Sequence, residues 1–303
     1  MRFAVALAGI AWAVGATASA QDFAAAESAR RSALIAALPA DAAKRVFGLL
    51  AGPSSGPPQS IGGYAKGCIA GAAPLPADGP NWQVMRPARN RAWGHPLLVA
   101  TIERLAASLP KVNGWPGWLI GDLGQPRGGP MVTGHASHQI GLDADIWFTP
   151  MPERRLSATE RDNMAAPGIV SADGNDVDRT VWGPQYRRMI EAVGRAPERA
   201  RMFVNPAIKQ ALCREAGADR DWLRKVRPWW GHDDHFHIRL ACALGDALCQ
   251  NQPPPPPGDG CNELGWWFTP EGRHPKPGPP ERPLKVSELP PACAALAREA
   301  AIR

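Results

Sequence analysis

Proline and glycine interrupt this chain so often that long regular elements are excluded. There are 33 prolines and 31 glycines in 303 residues, about a fifth of the chain where ordinary usage is roughly 12%. Proline breaks helix interiors and cannot donate in a central strand, and glycine weakens both elements. A helical bundle, a coiled coil and a helical repeat are therefore ruled out. The apolar share of 45% against 20% charged residues still provides for a real core. The expectation is a loop-rich globular protein with short elements.

The first twenty residues read differently from the rest. Arg2 is followed by an apolar stretch from Phe3 to about Val14, and Ala18-Ser19-Ala20 precedes Gln21. This is the pattern of a cleaved secretory signal, and the apolar run is short of a membrane span. No later segment is apolar for long enough to span. An exported, soluble protein is expected. The six cysteines, Cys68, Cys213, Cys242, Cys249, Cys261 and Cys293, agree: an even count in an exported chain points to three disulfides, in any of fifteen connectivities. None forms a C-x-x-C pair, which argues against thiolate zinc and thioredoxin chemistry. Of the pairings, only Cys242–Cys249 is plausible from spacing alone. The net charge of +6 permits an anionic partner, but no basic run is interleaved with aromatics, so nucleic acid is not expected.

Along the chain, residues 21–52 are Ala-rich, with Leu34, Leu38, Val46, Leu49 and Leu50 at helical spacings broken at Pro39. One or two short helices are predicted there. Gly52 to Pro58 has linker composition, so the division is 1–20 signal, 21–58 helical segment and linker, 59–303 main domain. Leu98, Ile102, Leu105 and Leu109 mark one helix face, with Pro96 in the first turn and Pro110 as the expected stop. Trp118–Ile120 and Met202–Val204 read as strands. Ser157 to Glu160 is a capping box, and Asn205-Pro206 opens a helix towards Cys213. Helices and strands alternate without a sustained βαβ rhythm, which predicts an α+β fold with a small antiparallel sheet, flanked by helices and long loops. Five consecutive prolines from Pro253 to Pro257 stiffen the start of a Pro-rich tail.

Five of the seven histidines fall in two windows, Gly134-His135-Ala136-Ser137-His138-Gln139-Ile140-Gly141-Leu142-Asp143-Ala144-Asp145 and Gly231-His232-Asp233-Asp234-His235-Phe236-His237-Ile238-Arg239. Imidazole and carboxylate suit zinc, and a catalytic zinc keeps three protein ligands and an open position. On strands, His235 and His237 share one face, as do Asp143 and Asp145. Two such strands can converge on one metal. One His is more often a surface or core residue, and a single H-x-H is a weak signal; two windows together point to a metal site. There is no H-E-x-x-H and no G-x-S-x-G, so zincin and serine-hydrolase chemistry are set aside.

Ser137-His138-x-x-Gly141-x-x-x-Asp145 followed by His235-x-His237 resembles the metal signature of the superfamily containing lysostaphin-type enzymes, D-Ala-D-Ala peptidases and hedgehog domains. The longer strings GHASHQIGLDADI, FVNPAIKQALC, DRDWLRKVRPWW and SIGGYAKGCI resemble the penicillin-insensitive murein endopeptidases of the Gram-negative periplasm. The resemblance covers about Ser60 to Cys293 and leaves out 21–52. It implies zinc on the sheet, held by His138, Asp145 and His237, with His135 as an additional ligand or a neighbour of the site. It implies His235 as general base, with His232 the alternative for that role or for the oxyanion. Some members place a second metal at an Asp-x-x-His; Asp173 matches and Asp176 stands where the His would be, and a plain Asp-Gly turn is the simpler reading. The implied reaction is hydrolysis of D-alanyl–diaminopimelate cross-links of murein without a serine acyl-enzyme. The implied disulfides are Cys68–Cys293, Cys213–Cys261 and Cys242–Cys249. Arg86, Arg91 and Arg227 are candidates for stem carboxylates, against ordinary ion pairs; Trp229 and Trp230 for the substrate groove, against packing.

Other functions stay open at this stage. A D,D-carboxypeptidase would differ in pocket depth. A non-catalytic wall-binding module would have lost the base or the open position. A metal carrier would exchange its zinc freely. The ligand set also suits several divalent ions, and the oligomeric state is open.

Overall fold

The computed structural model describes residues 20–276, 278 and 282–299. The signal-peptide expectation lies outside the described residues, apart from Ala20. No helix among the described residues is long and apolar enough to cross a membrane.

The Ala-rich segment forms two helices, α1 (Ala20–Ala37) and α2 (Ala43–Gly48), as its periodicity and Pro39 predict, although α1 is longer than expected. A hairpin follows, β1 (Gln59–Gly63) with β2 (Lys66–Ala70), and the two-residue strands β3 (Ala73–Pro74) and β6 (Trp93–Gly94) pair with each other. The main sheet is built from β4 (Asp78–Gly79), β5 (Trp82–Val84), β7 (Trp118–Ile120), β8 (Asp143–Pro150), β9 (Arg199–Val204), β10 (Val226–Pro228) and β11 (His235–Leu240). Its order is β10-β9-β11-β8-β7-β5-β4.

This corrects the expected small antiparallel sheet. The sheet has seven strands and is mixed. The run β9-β11-β8-β7 is antiparallel, but β10 pairs parallel with β9 and β5 parallel with β7. Trp118–Ile120 is β7 and Met202–Val204 lies in β9, as their apolar runs predict, but β5 and β10 are three residues long, too short for a periodicity to announce them. Crossover helices supply the parallel connections: α3 (Pro96–Val112) lies between β5 and β7, and α6 (Pro206–Glu215) between β9 and β10, as parallel pairing requires.

Helix α3 buries Leu98, Ile102, Leu105 and Leu109, the predicted face. It runs two residues past Pro110. Pro110 forfeits only its own bond to the preceding turn, and Asn113 N–H closes the helix end on Leu109 O. With α5 (Pro184–Gly194) and α6, α3 covers one face of the sheet, and Ala144, Ile146, Phe148, Phe236, Ile238 and Leu240 enter the core there. Alternation then sends Asp143, Asp145, His235, His237 and Arg239 to the other face. The capping box at Ser157 opens α4 (Ala158–Asn163), and Asn205 caps α6 through Ala207 N–H.

The three disulfides are those the resemblance implies. Cys68–Cys293 joins β2 to α8 (Pro291–Arg298), inside a second small core with Phe47, Ile61, Leu289 and Leu296. The polyproline stretch is held from the sheet side: Arg201 donates to Pro253 O, and Arg224 to Pro255 O and Pro256 O. Cys213–Cys261 ties α6 to the loop that leads into α7 (Pro270–Arg273).

Candidate metal centre

The register of the central strands decides which side chains meet. His237 lies opposite Asp145, and Arg239 opposite Asp143. On the other side of β11, Phe203 lies opposite His237 and Arg201 opposite Arg239. The first histidine window approaches from the loop before β8. His138 has φ +64°, unusual for a residue with a side chain. The conformation is held at both ends: Asp143 Oδ2 accepts from its N–H at 2.9 Å, and its ring Nδ1 lies 2.6 Å from Leu123 O. Gly141, at φ +72°, makes the turn into β8; a Cβ there would sit 2.8 Å from His95 N, so only glycine fits.

His138 Nδ1 faces a carbonyl, which only accepts, so it carries the proton and Nε2 offers a lone pair. That Nε2 lies 3.4 Å from Asp145 Oδ1. Both atoms are buried and neither has a hydrogen-bond partner. Around Asp145 gather His135 Nε2 at 3.5 Å, His237 Nδ1 at 3.6 Å and His235 Nε2 at 3.7 Å. Ligand atoms of His135, His138 and Asp145 all lie within 4.8 Å of one another. Unpartnered buried polar atoms are costly, and several lone pairs aimed at one point are what a cation relieves. The donor set therefore fits a divalent metal.

The supporting contacts fix the tautomers. His237 Nε2 lies 2.9 Å from Asp143 Oδ1, which leaves Nδ1 as its free acceptor. Arg239 Nε donates to the same carboxylate at 2.6 Å, and its guanidinium lies over the Tyr64 ring at 4.3 Å. Asp122 Oδ2 binds His135 at 3.0 Å and Arg91 at 2.9 Å. Such outer partners orient the ligands of metal sites. Burial raises the carboxyls of Asp122, Asp143 and Asp145, but the surrounding histidines and, for the first two, arginines outweigh it and hold all three well below the usual carboxylate range. Burial pushes His237 down to about 3, which keeps it neutral and able to ligate. Burial also opposes a charge on His138, yet Asp145 raises it; the pair draws in positive charge.

His235 and His232 stand beside this group, with ring centroids 4.8 Å apart. His235 Nδ1 is hydrogen-bonded to Asp234 Oδ1. Burial lowers His235, but Asp145 and Asp234 together raise it to about 9. His232 is held at φ +56° with Nδ1 2.8 Å from Trp230 O, and burial lowers it to about 4. A groove of about 600 Å³ borders His135, His232, His235 and His237, and a second, smaller cleft of about 220 Å³ borders His135, Asp145 and His235.

The other candidates are distributed as follows. Asp173 and Asp176 lie in a turn away from this group: Asp173 accepts from Ser171 and Asn175, and Asp176 from Val177 N–H, Arg179 and Arg214. Neither belongs to the group of three. Arg91 is committed to Asp122 and Arg227 to Glu263. Arg86 donates to Asp162 O and Met164 O and borders the smaller cleft. Both tryptophans line the groove, Trp229 half exposed and Trp230 donating to Gly272 O. Sequence reasoning missed Asp122, Asp234 and Arg239 as partners of the histidines. Arg239 had a signal, the same alternation that pairs His235 with His237; Asp122 had none.

A family model described as penicillin-insensitive murein endopeptidase matches residues 60–298. Relatives bearing that name are 47% identical over 250 residues in Klebsiella pneumoniae subsp. pneumoniae, covering 82% of this chain and 89% of theirs. The Yersinia enterocolitica relative is 47% identical over 80% of this chain and 87% of its own. The Escherichia coli relative is 47% identical over 82% of this chain and 89% of its own. With a matching model over most of its length and relatives of this similarity, the chain belongs to the penicillin-insensitive murein endopeptidase family.

Proposed function

We propose that the protein is a zinc metalloendopeptidase that hydrolyses D-alanyl–meso-diaminopimelate cross-links of murein in the periplasm, after export and cleavage behind Ala20. The observation that carries the metal is the facing pair His138 Nε2 and Asp145 Oδ1, buried, 3.4 Å apart and unpartnered. His138, Asp145 and His237 hold the ion, and His135 is either a further ligand or a donor to Asp122 beside it. When bound, zinc supplies Lewis-acid polarisation of the scissile carbonyl and a nucleophilic water at neutral pH.

The chain's own groups do the rest. Asp234 orients His235 so that Nε2 faces the site. With a cation at Asp145 offsetting the negative charge that raises it, His235 is free to take a proton at Nε2 and return it to the leaving amine. His232 lines the groove with its Nδ1 proton held by Trp230 O, so its neutral ring offers Nε2 as a substitute base, and it would stabilise the developing oxyanion only when protonated. Asp143, clamped by Arg239, keeps His237 Nδ1 aimed inward. Two separate cavities share His135 and His235, room that favours an endopeptidase, which must accommodate chain on each side of the scissile bond, over a carboxypeptidase. Asp173 and Asp176 remain candidates for a second ion; a zinc-to-protein ratio above one that falls to one in Asp173→Ala supports it.

The test is to incubate the protein with purified sacculi, with and without chelator, and to identify muropeptides by mass. Loss of cross-linked dimers without shortening of monomer stems is expected, and chelator abolishes it. Shortened monomer stems with intact dimers would establish a carboxypeptidase instead.

A further inference from the structure

Three guanidinium groups lie near one another: Arg201 and Arg239 border the groove, and Arg227 is close enough for its charge to act on Arg201. Two are neutralised within the protein. Arg239 is bound to Asp143, at 2.6 Å through Nε, and Arg227 to Glu263 at 2.6 Å. Arg201 is not. It borders the groove, half-buried, directly across the sheet from Arg239. Its one hydrogen bond among the described residues goes to a neutral acceptor, Pro253 O, at 2.5 Å. Among the described residues no carboxylate pairs with it. Arg201 is thus a partly desolvated cation beside a second cation, with most of its five donors unused. Burial and the neighbouring Arg239 and Arg227 charges push its pKa down, the mark of a site short of negative charge.

Its position has a scale. Phe203, two residues along the same strand face, has its ring 5.2 Å from that of His237. Residues i and i+2 of a strand stand roughly 7 Å apart. Arg201 therefore lies about 10 Å from the metal centre, roughly the reach of three extended residues.

We propose that Arg201 determines specificity by anchoring a free carboxylate of the murein stem peptide, two to three residues from the scissile bond. A guanidinium fork with free donors binds a carboxylate in bidentate fashion and rejects its neutral amide, which has only one carbonyl acceptor to offer. The inference rests on the murein reading above. Two stem positions carry such a group, the glutamyl and the diaminopimelyl carboxylates.

The experiment compares cross-linked dimers with free carboxylates against dimers amidated at one position or the other. Wild type and Arg201→Met are assayed for cleavage and, by calorimetry at low temperature, for binding. Wild type is expected to prefer the free acid by 10- to 100-fold in kcat/KM, chiefly through KM, over the dimer amidated at one of the two positions. Arg201→Met loses that preference, its kcat/KM on the free acid falling to its own value on the amidated dimer. Loosening of the polyproline segment alone would weaken all substrates alike, so a uniform loss overturns the proposal. So does an acid preference that survives in Arg201→Met, or the absence of one in wild type. If neither enzyme cleaves but the binding preference disappears with Arg201, the anchor stands and the endopeptidase reading fails.

Discussion

His138 Nε2 and Asp145 Oδ1 face each other at 3.4 Å, both buried, with no hydrogen bond among the described residues to satisfy either. One comes from a loop residue held in a left-handed conformation, the other from the middle strand of the sheet. A metal between them links the loop to the sheet, so metal binding and stability are coupled. A ligand at 1,000 times its Kd adds about 4 kcal/mol. Addition of zinc to chelator-treated protein is therefore expected to raise Tm by several degrees. Asp145→Asn, nearly isosteric, abolishes that rise. An unchanged zinc-dependent shift in Asp145→Asn would remove Asp145 from the ligand set.

His235 separates catalysis from metal retention. Its Nδ1 is tied to Asp234, and its Nε2 faces Asp145 without belonging to the group of three. General acid–base groups contribute about 10²- to 10⁴-fold. His235→Ala is expected to retain zinc at wild-type stoichiometry and to lose activity in that range. Asp234→Asn, which keeps the ring but weakens its orientation, loses less. Full turnover in His235→Ala with zinc bound would transfer the base role to His232.

Much of this was legible in the sequence because the site is built on period-two alternation. Once Asp143/Asp145 and His235/His237 are read as strand faces, their convergence follows from one antiparallel register. The α3 face, the Ser157 box and the Asn205 cap were legible for the same local reason. The sheet's full width was not: Trp118–Ile120 reads as a strand and the starts of α3 and α6 are marked, but β4, β5 and β10 are two or three residues long with no pattern of their own, and nothing local says which strands the crossovers bring together. Nor was Asp122 legible. It reaches His135 from a loop thirteen residues upstream, and only tertiary packing brings the two together.

Lys209 provides a stability signal far from the chemistry. It is fully buried on α6, where Nζ donates to Leu223 O at 2.8 Å and Asp259 O at 2.6 Å. Burial lowers its pKa to about 7, with Arg227 adding to the effect, against roughly 10.4 in an unfolded chain. Between those values the folded protein has released the proton and the unfolded chain still holds it. Stability contributed through this group therefore rises with pH from about 7 to 10, by up to about 1.4 kcal/mol per unit, and the burial penalty is fully present below 7. Lys209→Met removes the slope. Urea unfolding of both proteins at pH 6 to 10 should give a stability difference that shifts in favour of wild type as pH rises. Parallel curves would mean that Lys209 does not titrate in this range.

The disulfide Cys68–Cys293 spans 225 residues and sits in the small core that α2, the first hairpin and α8 share. That core has few residues, so the crosslink carries a large part of the attachment of the C-terminal segment. Removing a native disulfide typically costs 2–5 kcal/mol. In the double variant Cys68→Ala/Cys293→Ala, α8 and its contacts with Phe47 and Ile61 should open before the main sheet does. The ends of the chain would then exchange backbone amides quickly while β8 and β11 stay protected, and zinc binding would persist at low temperature. Arg127, buried beneath this unit and donating to Leu296 O and Glu299 O, would report the opening through loss of protection around Gln125 and Gly128. A cooperative transition in which the β8 and β11 amides lose protection together with α8 would instead make this unit inseparable from the sheet that carries the histidines.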